Sequence, residues 1–318
     1  MIESHFLITN GVFVRDFSWN KGQINALLGA AIFTATAGGK YEFSEIEQQS
    51  LELLAFFLLS NEVNVEDIQT ASPIELAATF HDNEQKKRAL EFLVLVIYST
   101  NDYLDEKKQL LDDYLRSLKL SDLLLKQLSQ VYSQYYQLIK YNEFRKQLDL
   151  SKKELIKTDF ASPFLLSNSN LLVIEEKYKK MTLLARNSLG YNLYKSYRKN
   201  KLPLPGEYSV ANEKLIVIYD IVKLITGYKY DVRGDLNTLA YIAGNQTVGS
   251  FIISGIAILE YYCHNPDSIK RVNKLERKKF WNIAKSGMNC QLDLSNSWDY
   301  ESNYRKSLTE LRKEFNLK

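Results

Sequence analysis

The chain has few cysteines and histidines, which limits the metal and redox chemistry open to it. It contains two cysteines and three histidines in 318 residues. Cys263 and Cys290 have no paired spacing, so we predict neither a disulfide framework nor a thiolate zinc site, and we expect a reducing cytoplasm. His5, His81 and His264 lie far apart in the sequence and form no metal-spaced pair. Glycine-rich phosphate loops and nucleophile elbows are also missing, so no catalytic group is visible.

A large excess of charge of one sign is missing too. Lysine and arginine total 41 against 38 aspartates and glutamates, a net charge of +3. This balance, without a binding motif, excludes nucleic acid as the expected partner. Only five prolines occur, and apolar residues recur at spacings of three and four, so we predict an all-α fold. The length favours two domains over one.

Export signals and membrane spans are not expected either. Glu3 stands where a signal peptide carries positive charge, and polar residues break the apolar run that follows. Residues 236–259 carry no charge and are long enough to cross a bilayer as one helix. Asparagines, a glutamine and three glycines interrupt this stretch, so we predict a buried helix pair instead.

The first half contains an internal repeat. Residues 26–58 and residues 90–118 each read as an apolar helix, a small or polar turn, a capping residue and a second amphipathic helix. Ser44 and Glu47 form a capping box in the first copy. Asp105 fills the equivalent capping position in the second. The pattern predicts two helical hairpins that bury their apolar faces together.

This repeat resembles the TerB-like domain of tellurite-resistance and related bacterial proteins. The residues that carry the resemblance are "ATAGGKYEFSEIE" and "STNDYLDEKK". In that family the acidic turns are associated with divalent metal binding. Gly38 stands where the first acidic residue is expected, and Asp102 is the acidic residue of the second copy. A single acidic residue in the turn supplies too few oxygen ligands for a hard divalent cation. We therefore expect a capping role, with a divalent-cation site near Asp102 as the alternative.

The predicted domain boundaries follow from composition. Residues 1–20 are a lead-in, and a TerB-like helical domain with an extended helix covers residues 21–158. The sequence "DFASPFLLSNSN", with clustered serine and asparagine, marks a linker at residues 159–178. A second helical domain takes residues 179–318.

The second domain resembles the Coq-four family of ubiquinone biosynthesis proteins. Three stretches in order carry the resemblance: "LARNSLGYNLYKSYRKNKLPLPGE", "IYDIVKLITGYKYDVRGDLNTLAYIAGNQ" and "FWNIAKSGMNCQLDLSNSWDYESNYRKSLTELRKEFNL". Gly190, Gly227 and Trp298 match at compatible spacing, and a terminal amphipathic helix follows, as in that family. The resemblance implies binding of long isoprenoid chains, assembly of quinone-making enzymes near a membrane, and a metal-dependent oxidative decarboxylation of the quinone precursor ring.

The zinc signature of that family is changed in this chain. The family has His-Asp-x-x-His on one helix and a glutamate on the next, and residues four apart on a helix can share one metal ion. The corresponding positions of this chain hold Tyr219, Asp220, Lys223 and Asp235. A phenol, which is protonated at neutral pH, and an ammonium, which has no lone pair to give, replace the two imidazoles. We therefore predict no metal and no cofactor.

Lys223 stands at the second imidazole position, and its ammonium could supply the positive charge that the metal ion brings in that family. We expect the Lys223 ammonium to lie between Asp220 and Asp235 and to neutralise both carboxylates. The alternative is a Lys223 side chain that extends to water.

Apolar and basic surfaces suggest a lipid ligand. The helix at residues 212–226 is apolar on more than one face, and the charge-free helices after it offer small residues for the opposite wall of a tunnel, with ordinary core packing as the alternative. Two basic stretches, "EEKYKKMTLLARNSLGYNLYKSYRKNK" and "KRVNKLERKK", suit anionic lipid headgroups or an isoprenoid phosphate, with solvated helix surface as the alternative. The candidate lipid-binding residues are Tyr194, Tyr197, Ile218, Val222 and Ile225.

The sequence therefore predicts a prenyl-lipid-binding protein related to quinone biosynthesis scaffolds, without the zinc-dependent chemistry. The expected location is the cytoplasm, including a peripheral position at the inner face of the membrane. The competing prediction is an interaction or stress-response module, in which the first domain recruits protein partners and the second is a scaffold. An enzyme with an unusual metal arrangement is the third possibility.

Overall fold

The computed structural model describes residues 19–59, 64–99, 104–147, 171–207, 212–263, 272–294 and 298–317. Thirteen α-helices account for most of these ranges, which contain no strand and only one isolated β-bridge, between Ser188 and Ser307. The all-α prediction is confirmed.

The helices follow one another closely along the chain. Those of the first half are α1 (Lys21–Ala35), α2 (Glu45–Leu58), α3 (Pro73–Thr79), α4 (Asn83–Ser99), α5 (Leu104–Ser117) and α6 (Asp122–Gln147). Those of the second half are α7 (Leu171–Lys179), α8 (Leu189–Lys199), α9 (Glu213–Thr226), α10 (Val232–Asn245), α11 (Ser250–Cys263), α12 (Lys274–Met288) and α13 (Leu308–Glu314). A 3-10 turn at Lys180–Leu183 continues from α7.

Helix starts follow the capping signals in part. Ser44 and Glu47 form the predicted capping box: the Glu47 amide donates to the Ser44 hydroxyl at 3.3 Å, and the Ser44 amide donates to the Glu47 carboxylate at 3.0 Å. The predicted cap at Asp105 is wrong in position, because α5 begins at Leu104 and Asp105 lies in its first turn. Its charge still complements the positive end of the helix dipole. Asp102 lies outside the described residues.

The chain divides into two compact units, and each draws on two separate stretches of sequence. Unit 1 contains residues 1–133 and 239–288, and unit 2 contains residues 134–238 and 289–318. This differs from the predicted division into consecutive domains, because the chain returns to unit 1 through the second half of α10, α11 and α12.

The predicted linker at residues 159–178 is also corrected in part. Residues 159–170 lie outside the described residues, whereas the rest forms most of α7. Tyr178 on this helix is fully buried, and its hydroxyl donates to Glu213 at 2.6 Å. This stretch is therefore a packed helix and not a linker.

Helices α4 and α11 form the centre of unit 1. Helix α4 packs on α1, α5 and α11, and α11 also packs on α2. Both helices are apolar on most faces, as helices at the centre of a core are. Buried Glu91 on α4 accepts from the amides of Gly249 and Phe251 at 3.1 and 3.0 Å, and Arg88 balances its charge at 2.8 Å. A buried carboxylate therefore holds the N-terminus of α11.

The charge-free stretch forms the predicted pair of helices, α10 and α11. Among the described helices, none combines the length and the apolar character needed to cross a bilayer. The small residues allow close packing: a Cβ atom at Gly244 would lie 1.8 Å from the Ala284 carbonyl oxygen, and one at Gly287 would lie 1.9 Å from the Tyr241 carbonyl oxygen. These two glycines of unit 1 serve core packing, the alternative to a tunnel wall.

Replacing Gly244 or Gly287 with alanine tests this close approach of α10 and α12. Helix propensity alone would stabilise each variant by about 1 kcal/mol. We expect the opposite, a loss of about 1–3 kcal/mol in the free energy of unfolding, because the added methyl group overlaps backbone atoms. Urea unfolding measures the change. Ser286→Ala on α12 is the control. A stabilised Gly244→Ala variant would contradict the packing described.

Candidate functional site

The changed signature lies where α9 meets α10 in unit 2. Helix α9 ends at Thr226, and the next residue, Gly227, caps it in the left-handed conformation (φ 79°). The Gly227 amide donates to the Lys223 carbonyl oxygen at 2.9 Å. Asp231 then accepts from the amide of Gly234 at 2.7 Å and so caps the start of α10. The chain here therefore forms a helix, a glycine stop, a polar turn and a second helix. The turn brings the first residues of α10 back against the end of α9.

Two residues of α9, four apart, reach the same carboxylate oxygen on α10. The Tyr219 hydroxyl donates to Asp235 Oδ1 at 2.6 Å, and the Lys223 ammonium donates to the same atom. The side chain of Lys223 is fully buried. The alternative in which Lys223 extends to water is therefore wrong.

Asp220 has a different cationic partner, Arg145 on α6. The two Nη atoms of Arg145 donate to the two carboxylate oxygens of Asp220, each at 2.6 Å, in a bidentate pair. The Tyr197 hydroxyl on α8 donates to Asp220 Oδ2 at 2.9 Å. Arg145 also donates from Nε and Nη2 to Asn142 Oδ1 at 3.0 and 2.8 Å. Three helices, α6, α8 and α9, therefore meet at one buried carboxylate.

The expected role of Lys223 is thus correct for one acid and wrong for the other. Lys223 binds Asp235, but Arg145 neutralises Asp220, and Lys146 donates to the second oxygen of Asp235. The sequence did not single out Arg145 or Lys146. Both lie far from α9 along the chain, and nothing in their local pattern marks these positions as partners of the acids.

These five charged residues form what we call the ionic cluster: Arg145, Lys146, Asp220, Lys223 and Asp235. It holds three cationic and two anionic side chains. Arg145 and Asp220 are at most 1 % exposed, whereas Asp235 and Lys146 are 18 and 24 % exposed. The cluster therefore has a buried pair at one end and a solvent-facing edge at the other.

The surroundings shift the pKa values of Lys223 and Asp235, the second ion pair of the cluster. Burial lowers the pKa of Lys223 to about 8, and the attraction of Asp235 only partly opposes this effect. Burial disfavours the ionised form of Asp235, but the charges of Lys223 and Lys146 outweigh it and lower the pKa of that carboxyl. Burial, reinforced by Asp235, raises the pKa of Tyr219 well above its ordinary value. Tyr219 is therefore a protonated donor.

The zinc ion that the resemblance implies does not fit these residues. Each carboxylate oxygen of Asp220 and Asp235 already accepts from a protein cation, with Tyr197 and Tyr219 as further donors. Within the described ranges, no three histidine, cysteine or acidic side chains are grouped closely enough to hold a metal. A metal ion would have to displace an arginine or a lysine from its partner. The cluster, as built, links helices and offers no open coordination position.

The predicted lipid-binding residues lie mainly in the core of unit 2. Tyr197, Ile218, Val222 and Ile225 are at most 2 % exposed, and the Tyr197 hydroxyl is committed to Asp220. Tyr194 is half-buried, and its hydroxyl accepts from Arg198 at 3.2 Å. An isoprenoid chain at these positions would have to replace existing protein packing.

An open groove of about 440 Å³ lies elsewhere in unit 2, between the 3-10 turn after α7 and the segment before α13. We call it the basic groove, and its lining residues are Lys177, Lys180, Met181, Leu184, Glu301, Ser302, Tyr304 and Arg305. The sequence prediction placed a basic face in this region without identifying a groove.

The cations of the basic groove differ in their partners. Lys177 donates to Glu213 at 2.6 Å and to Glu301 at 2.8 Å. Lys180 and Arg305 are exposed, and neither forms a salt bridge within the described part of the chain. The groove therefore presents two cationic side chains that remain available to an anion.

Comparison with known proteins gave no relative: no protein-family model, no curated protein and no solved structure matches this chain. Fold and site alone define its class, an all-α protein with a buried ionic cluster in unit 2. The resemblances to the TerB-like and Coq-four families stay predictions.

Breaking the Arg145–Asp220 pair should be far more costly than removing a surface pair. Arg145→Met leaves a buried carboxylate uncompensated and Asp220→Asn leaves a buried guanidinium, so each should lower the free energy of unfolding by about 3–5 kcal/mol. The double variant should lose less than the sum of the two. Urea unfolding of the three variants measures this, with Lys279→Ala on α12 as a surface control expected to cost at most about 1 kcal/mol. Additive losses would show that the two groups are not coupled.

The lowered pKa of Lys223 should appear in the pH dependence of stability. Between about 8 and the ordinary value of 10.5, the unfolded chain holds a proton on Lys223 that the folded chain has released. The free energy of unfolding of the wild type, minus that of Lys223→Met, should therefore rise with pH across this window. Denaturant titrations at pH 7, 8, 9 and 10 measure it. If this difference in the free energy of unfolding does not change with pH, Lys223 has the same pKa in the folded and unfolded states.

Proposed function

We propose that this protein binds an anionic prenyl lipid at the basic groove of unit 2, and that the ionic cluster is a structural joint without metal chemistry. The observation that carries the proposal is the groove itself, which combines available cationic groups with an apolar wall. The resemblance to the Coq-four family supplies the ligand class as an expectation.

The charges of the basic groove suit a phosphate or diphosphate group. Lys180 and Arg305 keep their donors available, whereas Lys177 is already bound to two glutamates. Guanidinium groups bind phosphate oxygens in a bidentate manner, and lysine adds a mobile point charge. Glu301, the one acidic lining residue, is paired with Lys177, which reduces its repulsion of an incoming anion.

The apolar side of the basic groove suits the first part of a prenyl chain. Met181 and Tyr304 are buried beneath it and Leu184 is half-buried. The volume of about 440 Å³ is within the range of about 300–1,000 Å³ usual for small-ligand sites. An apolar floor beside a cationic rim is the pattern that an isoprenoid phosphate requires.

A membrane surface is the proposed source of this ligand. Leu183, next to Leu184 of the groove, is 84 % exposed, and Leu172 and Val173 on α7 are 72 and 69 % exposed. Exposed apolar side chains among lysines are typical of segments that lie at the interface of anionic membranes. A peripheral position at the inner face of the membrane is therefore part of the proposal.

Binding of farnesyl diphosphate tests the proposal directly. Isothermal titration calorimetry of the full chain should detect binding of farnesyl diphosphate. Farnesol and inorganic pyrophosphate should each bind more weakly. Lys180→Gln with Arg305→Gln should weaken the binding of farnesyl diphosphate by about tenfold or more, because two charge-assisted contacts are lost. Flotation with vesicles containing anionic lipid, against neutral vesicles, tests the membrane source.

The matched control removes the same charge elsewhere. Lys126 and Lys278 are exposed residues of unit 1, and neither forms a salt bridge among the described residues. Lys126→Gln with Lys278→Gln should leave the affinity unchanged. Equal weakening in both double variants would show that the loss of affinity comes from the change in net charge and not from the basic groove. Absence of farnesyl diphosphate binding by the wild type would overturn the proposal.

Protein recruitment through unit 1 is the second candidate function. Ile46 and Ile74, in the first turns of α2 and α3, are 74 and 77 % exposed. Exposed large apolar side chains of this kind suit a protein partner. A chain that binds neither farnesyl diphosphate nor anionic vesicles would favour this candidate.

A further inference from the structure

Lys177 of the basic groove is shared by two carboxylates, and these differ in how firmly they are held. Its ammonium donates to Glu213 at 2.6 Å and to Glu301 at 2.8 Å. Burial opposes the charge of Lys177, but the two glutamates outweigh this effect and raise the pKa of the ammonium. One positive charge therefore meets two negative charges, and this cation of the groove is occupied in the free protein.

Glu213 is the fixed partner of Lys177. It lies in the first turn of α9, where the helix dipole favours a negative charge, and its side chain is 22 % exposed. The hydroxyl of buried Tyr178 donates to the same carboxylate oxygen at 2.6 Å. Moving Glu213 away would leave that hydroxyl without its acceptor, which is costly for a buried donor.

Glu301 is the exchangeable partner. Its side chain lines the groove and is 51 % exposed. Within the described ranges, its carboxylate forms no salt bridge other than the one to Lys177. Exposed ion pairs contribute little to stability, so this carboxylate can turn into water at small cost. Lys177 keeps its place when that happens, because Glu213 and the Tyr178 ring, 5.1 Å from its Nζ atom, still hold it.

We infer that Glu301 is a built-in competitor for anions: its carboxylate occupies Lys177 in the free protein, and the phosphate oxygens of a ligand replace it. This regulation rests on the anion site proposed above for the basic groove. Lys180 and Arg305 line the same groove and hold the incoming anion while it takes over Lys177. A phosphate group has more charge and more acceptor oxygens than a carboxylate, so it competes well for the ammonium. The occupied groove therefore uses three cations, whereas the free groove offers two.

Inorganic pyrophosphate tests the exchange, because it has the phosphate groups without the prenyl chain. Isothermal titration calorimetry compares the full-length wild type with Glu301→Gln, which has no carboxylate to occupy Lys177. Removing the competitor should tighten pyrophosphate binding by about threefold to tenfold. Adding Lys177→Met to Glu301→Gln should remove this gain, because the released ammonium is then missing.

Glu213→Gln is the matched control, because it removes the same charge from the other partner of the same lysine. Glutamine keeps a side-chain oxygen that accepts from the Tyr178 hydroxyl. Lys177 remains bound to Glu301 in this variant, so pyrophosphate binding should not tighten. Circular dichroism and the melting temperature show whether each variant is folded.

A second control covers the case in which Glu213→Gln fails to fold. Glu176 is 56 % exposed and is paired with Lys179, and neither residue lines the groove. Glu176→Gln should leave the affinity for pyrophosphate unchanged. Tightening that is equal in Glu301→Gln and in either control would show a general charge effect and overturn the inference.

The remaining outcomes separate this inference from the proposed lipid ligand. No tightening in Glu301→Gln, or a gain that persists when Lys177→Met is added, would overturn the exchange even if the wild type binds farnesyl diphosphate. A wild type that does not bind farnesyl diphosphate, together with tighter pyrophosphate binding by Glu301→Gln alone, would overturn the prenyl ligand and support the exchange.

Discussion

The bidentate pair between Arg145 and Asp220 is the interaction on which unit 2 depends. Both side chains are removed from water, so each would leave an uncompensated charge in the core if the other were absent. Tyr197 completes the shell of Asp220 from α8. A buried pair of this kind adds little net stability compared with apolar packing, but it penalises every arrangement in which α6, α8 and α9 are displaced.

The same helices connect the ionic cluster to the basic groove. Helix α8 carries Tyr197, and at its start the amide of Gly190 donates to the Tyr304 carbonyl oxygen at 3.0 Å. The segment that presents Arg305 is therefore attached to the helix that the cluster fixes. A Cβ atom on Gly190 would lie 2.5 Å from Leu184, another groove residue. Glycine at this position lets the groove wall approach α8.

Buried Arg–carboxylate pairs occur in both units and do similar work. In unit 1, Glu91 holds the first turn of α11 and Arg88 balances it. In unit 2, Asp220 holds α8 and Arg145 balances it. Each acid is fixed by amide or hydroxyl donors as well as by its arginine. A charge that is satisfied on all sides is suited to positioning helices and poorly suited to exchanging a proton or a metal ion with solvent.

The sequence by itself determined the helical class, the Ser44 capping box and the unsuitability of Tyr219 and Lys223 as zinc ligands. These depend on local hydrogen bonding and side-chain chemistry, which neighbouring residues express directly. Only the tertiary structure decided that Arg145 neutralises Asp220, that residues 239–288 return to unit 1, and that Lys180 and Arg305 border one groove. Arg145 and Asp220 are 75 positions apart, and Lys180 and Arg305 are 125 positions apart. Nothing in a local pattern encodes which distant helix fills a given face.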